Sequence, residues 1–248
     1  MKLYVDATPE AMGLRAAEEA ARRIREAVER QGYCRILLST GASQFPMFEA
    51  LTKMDLPWDK VAMFHLDEYV GLPVSHPASF RRYLTERFIE KVHPGEYHLV
   101  NGEGDVAANI ASLTAELRRA PIDVGLIGIG ENGHIAFNDP PANLETRDAY
   151  IVVNLDERCR MQQVGEGWFA GLDDVPKQAI SMTVWQILQC RVILSIVPDE
   201  RKAEAVRKTL EAKEPTALVP ATFLTTHKDW TLFLDAGSAS QIDPEKYA

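Results

Sequence analysis

Residues 124–141 read Val124-Gly125-Leu126-Ile127-Gly128-Ile129-Gly130-Glu131-Asn132-Gly133-His134-Ile135-Ala136-Phe137-Asn138-Asp139-Pro140-Pro141. The apolar run Val124–Ile129 does not alternate between apolar and polar, the mark of a strand buried on both faces, as in a parallel sheet. Its continuation contains G-x-G-x-x-G, the dinucleotide fingerprint, but that motif needs a helix behind it. Asp139-Pro140-Pro141 would stop any helix begun at Gly133 within two turns, and the motif lies mid-chain instead of at the first strand-to-helix turn. The segment therefore reads as a glycine-walled loop that lets backbone approach a ligand and presents His134, with Asp139 five residues on. A carboxylate that accepts from one imidazole nitrogen fixes the tautomer and frees the other nitrogen to move protons. A structural histidine bonded to a backbone carbonyl is the other reading.

Outward from this segment the pattern repeats. Further apolar runs occur at residues 35–39, 61–66, 150–153, 192–197 and 231–234, rich in β-branched residues and mostly without alternation. Helical stretches near residues 46–53, 80–92, 106–119 and 200–211 separate them, long enough to cross over a parallel sheet. Upstream, Thr8-Pro9 opens a helix on which Leu14, Ala17, Ala21, Ile24 and Val28 recur, and Gly32 closes it. The predicted fold is a doubly wound, Rossmann-like α/β architecture, a mostly parallel sheet with helices on both faces, in one domain over residues 1–248.

Ligands bind such sheets beyond the carboxyl ends of the strands, so the junctions after each run matter most. After the run 35–39 comes Ser39-Thr40-Gly41-Ala42-Ser43-Gln44, rich in hydroxyls and backbone N–H groups that suit a phosphate. An ordinary turn with Ser43 as N-cap fits it equally. After the run 61–66 stand Asp67 and Glu68, adjacent carboxylates in a loop bounded by Gly71 and Pro73, suited to a general base or simply solvated. His65 beside them reads as a packed histidine, and no metal is proposed. After the run 192–197, Lys202 opposes a helix dipole in a first turn, which an anion beside it would explain, as would solvent.

A net charge of −9, from 36 acidic and 27 basic residues, and the lack of a basic stripe disfavour nucleic acid. No stretch approaches a membrane span and Asp6 interrupts the start, so a cytoplasmic chain is expected. Cys34, Cys159 and Cys190 form neither a CxxC pair nor an even set. Trp58, Trp168, Trp185 and Trp230 suit core or interface alike, which leaves a homo-oligomer open. In residues 158–169, Arg158 or Arg160 could reach a phosphate, and Gly165-Glu166-Gly167 could form a mobile lid.

The four junctions, in this order, resemble the glucosamine-6-phosphate deaminase family over residues 37–227, most specifically in LDEYVGL (66–72) and GHIAFNDP (133–140). TGAS (40–43) and RKAEAV (201–206) match less specifically. The resemblance implies that Asp67 is the base acting on substrate carbon, His134 opens the sugar ring and Asp139 supports it. It implies a phosphate site at Thr40, Gly41, Ala42, Ser43 and Lys202, with Gly130 and Glu68 also facing substrate, and no cofactor. Two positions depart from the family's pattern: Asn132 stands where many members have aspartate, and Asp139 where many have glutamate. Asn132 can orient His134 but holds no charge. Related 6-phosphogluconolactonases share the sheet, so a lactonase is the rival reading, with a non-catalytic sugar-phosphate sensor behind it.

Overall fold

The computed structural model describes residues 1–165 and 167–247. Its ten strands are β1 (Lys2–Asp6), β2 (Cys34–Leu38), β3 (Val61–His65), β4 (Asp67–Tyr69), β5 (Glu96–His98), β6 (Val124–Ile127), β7 (Tyr150–Asn154), β8 (Gln178–Met182), β9 (Val192–Val197) and β10 (Trp230–Asp235). Seven form one sheet in the order β1-β10-β9-β6-β2-β3-β5, every pairing parallel. Every residue of β2, β6, β9 and β10 is buried, as expected of strands covered on both faces.

The helix Pro9–Gln31 covers one face. Thr8 caps it, its hydroxyl accepting from the Ala11 amide at 3.2 Å, and Gly32 closes it at φ 82°, a left-handed conformation that glycine adopts without strain. Its buried stripe is mostly alanine, Ala16, Ala17, Ala20, Ala21 and Ala27 around Ile24, so the backbone lies close to the sheet. The stretch 80–92 is helical throughout, with a π-helical turn at Thr85–Ile89.

Two expectations are corrected. The run at 150–153 does not join the parallel sheet: β7 pairs antiparallel with β8, and β8 with β4, in a separate three-stranded sheet. Its alternating burial shows one covered face, which the β-branched Ile151, Val152 and Val153 concealed. The helix expected from Glu200 begins instead with a 3-10 turn at Glu200–Lys202, and the α-helix runs over Ala203–Glu211.

The join between the sheets positions the site. Leu66, between β3 and β4, donates its amide to the Leu38 carbonyl in the first sheet and accepts from the Met182 amide in the second, at 3.3 and 2.7 Å. Asp67 is thereby turned off the end of the parallel sheet. Strand order reverses between β2 and β6, placing the loops that follow them across a crevice, where ligands bind in open α/β sheets.

Candidate active site

The crevice walls are cross-linked at their root by Ser39. Its hydroxyl donates to the Leu126 carbonyl at 2.9 Å and accepts from the Gly128 amide at 2.8 Å, tying the end of β2 to the loop after β6. Gly41 follows at φ 99°, and Ala42–Gln44 form one 3-10 turn leading into the helix Phe45–Leu51. Neither segment is capped by a side chain, so Ser43 is not an N-cap. Thr40, Gly41, Ala42 and Ser43 all line the cavity, and Tyr83 steadies the turn by donating its hydroxyl to the Gly41 carbonyl at 2.8 Å.

Lys202 lines the same cavity from the turn after β9. That turn is tight: Asp199 has φ 87°, its amide donates to the Asp235 carboxylate, and its own carboxylate accepts from the Arg201 amide at 3.0 Å. The largely buried Lys202 ammonium lies 4.0 Å from Glu131 Oε1, and Arg201 approaches the same acid at 3.6 Å.

His134 sits in a hydrogen-bonded frame. Asn132 Oδ1 accepts from the His134 amide at 3.0 Å and lies 2.7 Å from His134 Nδ1. Asn132 Nδ2 donates to Asp139 Oδ1 at 3.0 Å, and that oxygen lies 3.2 Å from the same Nδ1. Both neighbours of Nδ1 are acceptors, so the network assigns the proton to Nδ1 and leaves Nε2 for the cavity. Burial works to raise the Asp139 carboxyl, but His134, the Asn132 amide and the Cys159 thiol together hold it far below the usual carboxylate range. Gly130 makes the frame fit: a Cβ there would lie 2.2 Å from the imidazole.

Asp67 lines the same cavity, its side chain otherwise enclosed. Burial first, then the charges of Glu68 and Asp139, push its carboxyl up to about 8 against one opposing hydrogen bond from the Phe137 amide. A carboxyl poised near neutrality in a cleft suits acid–base work.

Glu68 belongs elsewhere. Strand alternation turns it away from the cavity, fully buried. Its Oε1 accepts from the amides of Tyr69 and Phe80, and its Oε2 from the Ser79 hydroxyl, the Arg81 amide and Arg81 Nε. Such an occupied carboxylate cannot receive a substrate, and the expectation that Glu68 binds one is corrected: it anchors the loop beneath Asp67. Asn132 likewise lies outside the cavity wall, bonded to His134 and Asp139.

The cavity encloses about 440 Å³, within the range of about 300–1,000 Å³ typical of small-molecule sites. Its lining also includes Phe80, Phe137, Gln162, Gln163, Trp168 and Arg201, none singled out from the sequence as an individual site residue. Neither Arg158 nor Arg160 lines it, and Arg160 donates to the Leu172 carbonyl. Gly165 does line it, while Glu166 lies outside the described residues. His65 is the packed residue expected: it accepts from the Val100 amide at 2.7 Å, and burial lowers its pKa to about 3. The three cysteines are free and buried, with burial raising each thiol. Among the described residues no three His, Cys, Asp or Glu side chains gather as metal ligands, and no helix is long and apolar enough to cross a membrane.

A family model described as glucosamine-6-phosphate isomerases/6-phosphogluconolactonase matches residues 7–233. The chain belongs to that family. Within the isomerase/lactonase family, a glucosamine-6-phosphate deaminase of an Exiguobacterium species is 37% identical over 82% of this chain and 79% of its own length. One of a Thermoanaerobacter species is 31% identical over 99% and 96%. Among solved structures, a monomeric glucosamine-6-phosphate deaminase superposes with a TM-score of 0.89 at 30% identity, covering 98% of this chain and 100% of its own. A 6-phosphogluconolactonase from Shewanella baltica, at 21% identity and a TM-score of 0.78 over 95% and 98%, shares the fold.

Proposed function

We propose that this protein converts glucosamine 6-phosphate and water to fructose 6-phosphate and ammonia. The observation that carries the reading is the pairing of Asp67 and His134 in one cavity, the first a buried carboxyl pushed up to about 8, the second an imidazole whose far nitrogen is fixed by Asn132 and Asp139. The deaminase relatives at 31–37% identity support the same activity.

The phosphate docks on residues 40–43 and Lys202 and positions the sugar without entering the chemistry. His134 moves the anomeric hydroxyl proton to the ring oxygen, and the pyranose opens to an aldehyde. Asp67 then removes the proton from C2. The C–H electrons form a C1–C2 double bond, the aldehyde oxygen takes a proton, and the amino group remains on C2. Return of the proton to C1 gives the 2-imine. Water adds across the C–N double bond and ammonia leaves, completing the ketose. The C2 ammonium of the incoming substrate supplies a positive charge beside Asp67, which favours the carboxylate the reaction needs. A phosphorylated sugar does not cross a membrane unaided, and we place the enzyme with its substrate in the cytoplasm.

A coupled assay for ammonia release from glucosamine 6-phosphate tests this directly, run beside an assay for acid release from 6-phosphogluconolactone. Ammonia without acid is the expected result; acid without ammonia would make the protein a lactonase, and neither would leave a site that binds sugar phosphate without turnover.

A further inference from the structure

Gln44 ends the turn that cradles the anion, yet its side chain is fully buried behind that turn and forms no part of the cavity wall. Its Nε2 donates to two oxygens, the Ile196 carbonyl and the Ser43 hydroxyl, each at 3.1 Å. A carbonyl can only accept, so the atom facing Ile196 must be the amide nitrogen; a flipped amide would set two acceptors against each other. The Ser43 oxygen, already receiving a hydrogen from Gln44, keeps its own hydrogen to give, and Ser43 faces the cavity.

Gln44 Oε1, meanwhile, is buried with no partner among the described residues. An unmet buried acceptor lowers stability, so the amide is offset only by what its nitrogen donates to, the Ile196 carbonyl and the Ser43 hydroxyl. Packing alone therefore does not explain an amide at this position. The same Nε2 also ties the cradle to β9, the strand whose following turn delivers Lys202 to the cavity.

We infer that Gln44 is a positioning residue that makes the Ser43 hydroxyl an obligate donor toward the substrate's phosphate. The inference rests on the assignment of residues 40–43 as the phosphate site.

The test measures inorganic phosphate binding by calorimetry, together with KM and kcat, in Gln44→Met, Ser43→Ala and the double variant. Loss of one hydrogen bond to a charged acceptor predicts that Gln44→Met weakens phosphate binding and raises KM by about tenfold, with kcat moving by less than about threefold. In the Ser43→Ala background the second substitution should change phosphate affinity by less than about twofold, because its effect passes through that hydroxyl. Gln44→Glu keeps the shape but turns the Ser43 hydroxyl inward as a donor to the new carboxylate; it should weaken phosphate at least as much, and it carries the comparison if Gln44→Met does not fold. An equal loss with and without Ser43, or unchanged phosphate affinity in a folded variant, would overturn the proposal. Phosphate binding requires no turnover, so failure of the ammonia assay leaves this result readable, and an active deaminase with unaltered phosphate affinity sinks only the role of Gln44.

Discussion

Asp67 and Glu68 are consecutive residues of one short strand, and they face opposite ways: one carboxyl lines an open cavity, and the other lies sealed beneath it with all its donors inside the protein. The pleat of β4 thus splits two identical chemical groups into one that faces the cavity and one that supports it from within.

Asp67→Asn is expected to lower kcat by about 10³-fold, the scale of a lost general base, with substrate binding retained. It should also stabilise the protein. The folded-state value of about 8 lies above the ordinary 3.8, so the folded chain holds a proton there that the unfolded chain releases. Stability contributed by that proton is present in acid and is lost as pH rises through about 8. Melting temperatures of the variant and parent should differ by several degrees at pH 9, about 2–4 °C for each kcal/mol relieved, and far less at pH 5. Equal differences at both pH values would show that Asp67 bears no buried charge.

The same raised value governs the rate. Because the base acts as carboxylate, kcat/KM should climb with pH through about 8 on its acid limb. A limb near the ordinary carboxylate range would mean that Asp67 is far better solvated than the structure indicates.

Glu68→Gln keeps the shape but places an amide nitrogen among donors that require an oxygen, and strips Arg81 of its buried partner. Breaking such a pair costs about 3–5 kcal/mol, which should appear in thermal unfolding as a drop of roughly 10 °C. A melting temperature within a degree or two of the parent would show the carboxylate to be dispensable.

Gly130→Ala places a methyl where the imidazole ring now lies. Displacement of a reacting group by about 1 Å costs about 100-fold, so kcat should fall on that scale while inorganic phosphate affinity, proposed to rest on residues 40–43 and Lys202, holds. Parallel losses in both would point to collapse of the whole loop.

His134→Gln should cost about 10²–10³-fold on glucosamine 6-phosphate and be partly rescued on an analogue that stays in the open-chain form. Without that rescue, ring opening would not be the task of His134.

Much of this was legible in the sequence, for reasons that also define what was not. Strands β2, β3, β6, β9 and β10 announced themselves as apolar-rich runs with little alternation because both faces are covered. Edge strand β1, mostly exposed, and β5, three residues long, lacked that signal. β7, read as a strand of the parallel sheet, and β8 belong to a second sheet joined to the first through Leu66, a tertiary arrangement no local pattern encodes. Asp67, His134, Asp139 and Lys202 stood at strand ends, where topology alone says to look. Gln162, Gln163 and Trp168 come from the helix Glu157–Gly165 and the residues just after it, and only folding brings them over the crevice. Glu68 was misassigned because adjacency to Asp67 was read as shared exposure, when alternation along a strand implies the reverse.

Ser39, which leads from β2 into residues 40–43, bonds through its hydroxyl to the Leu126 carbonyl of β6 and to the Gly128 amide in the loop that carries the imidazole, and so fixes the span between those two stations. The crevice is then a calliper with set jaws. With phosphate on residues 40–43, as proposed, the fold and not the ligand sets how far the sugar must reach to meet His134.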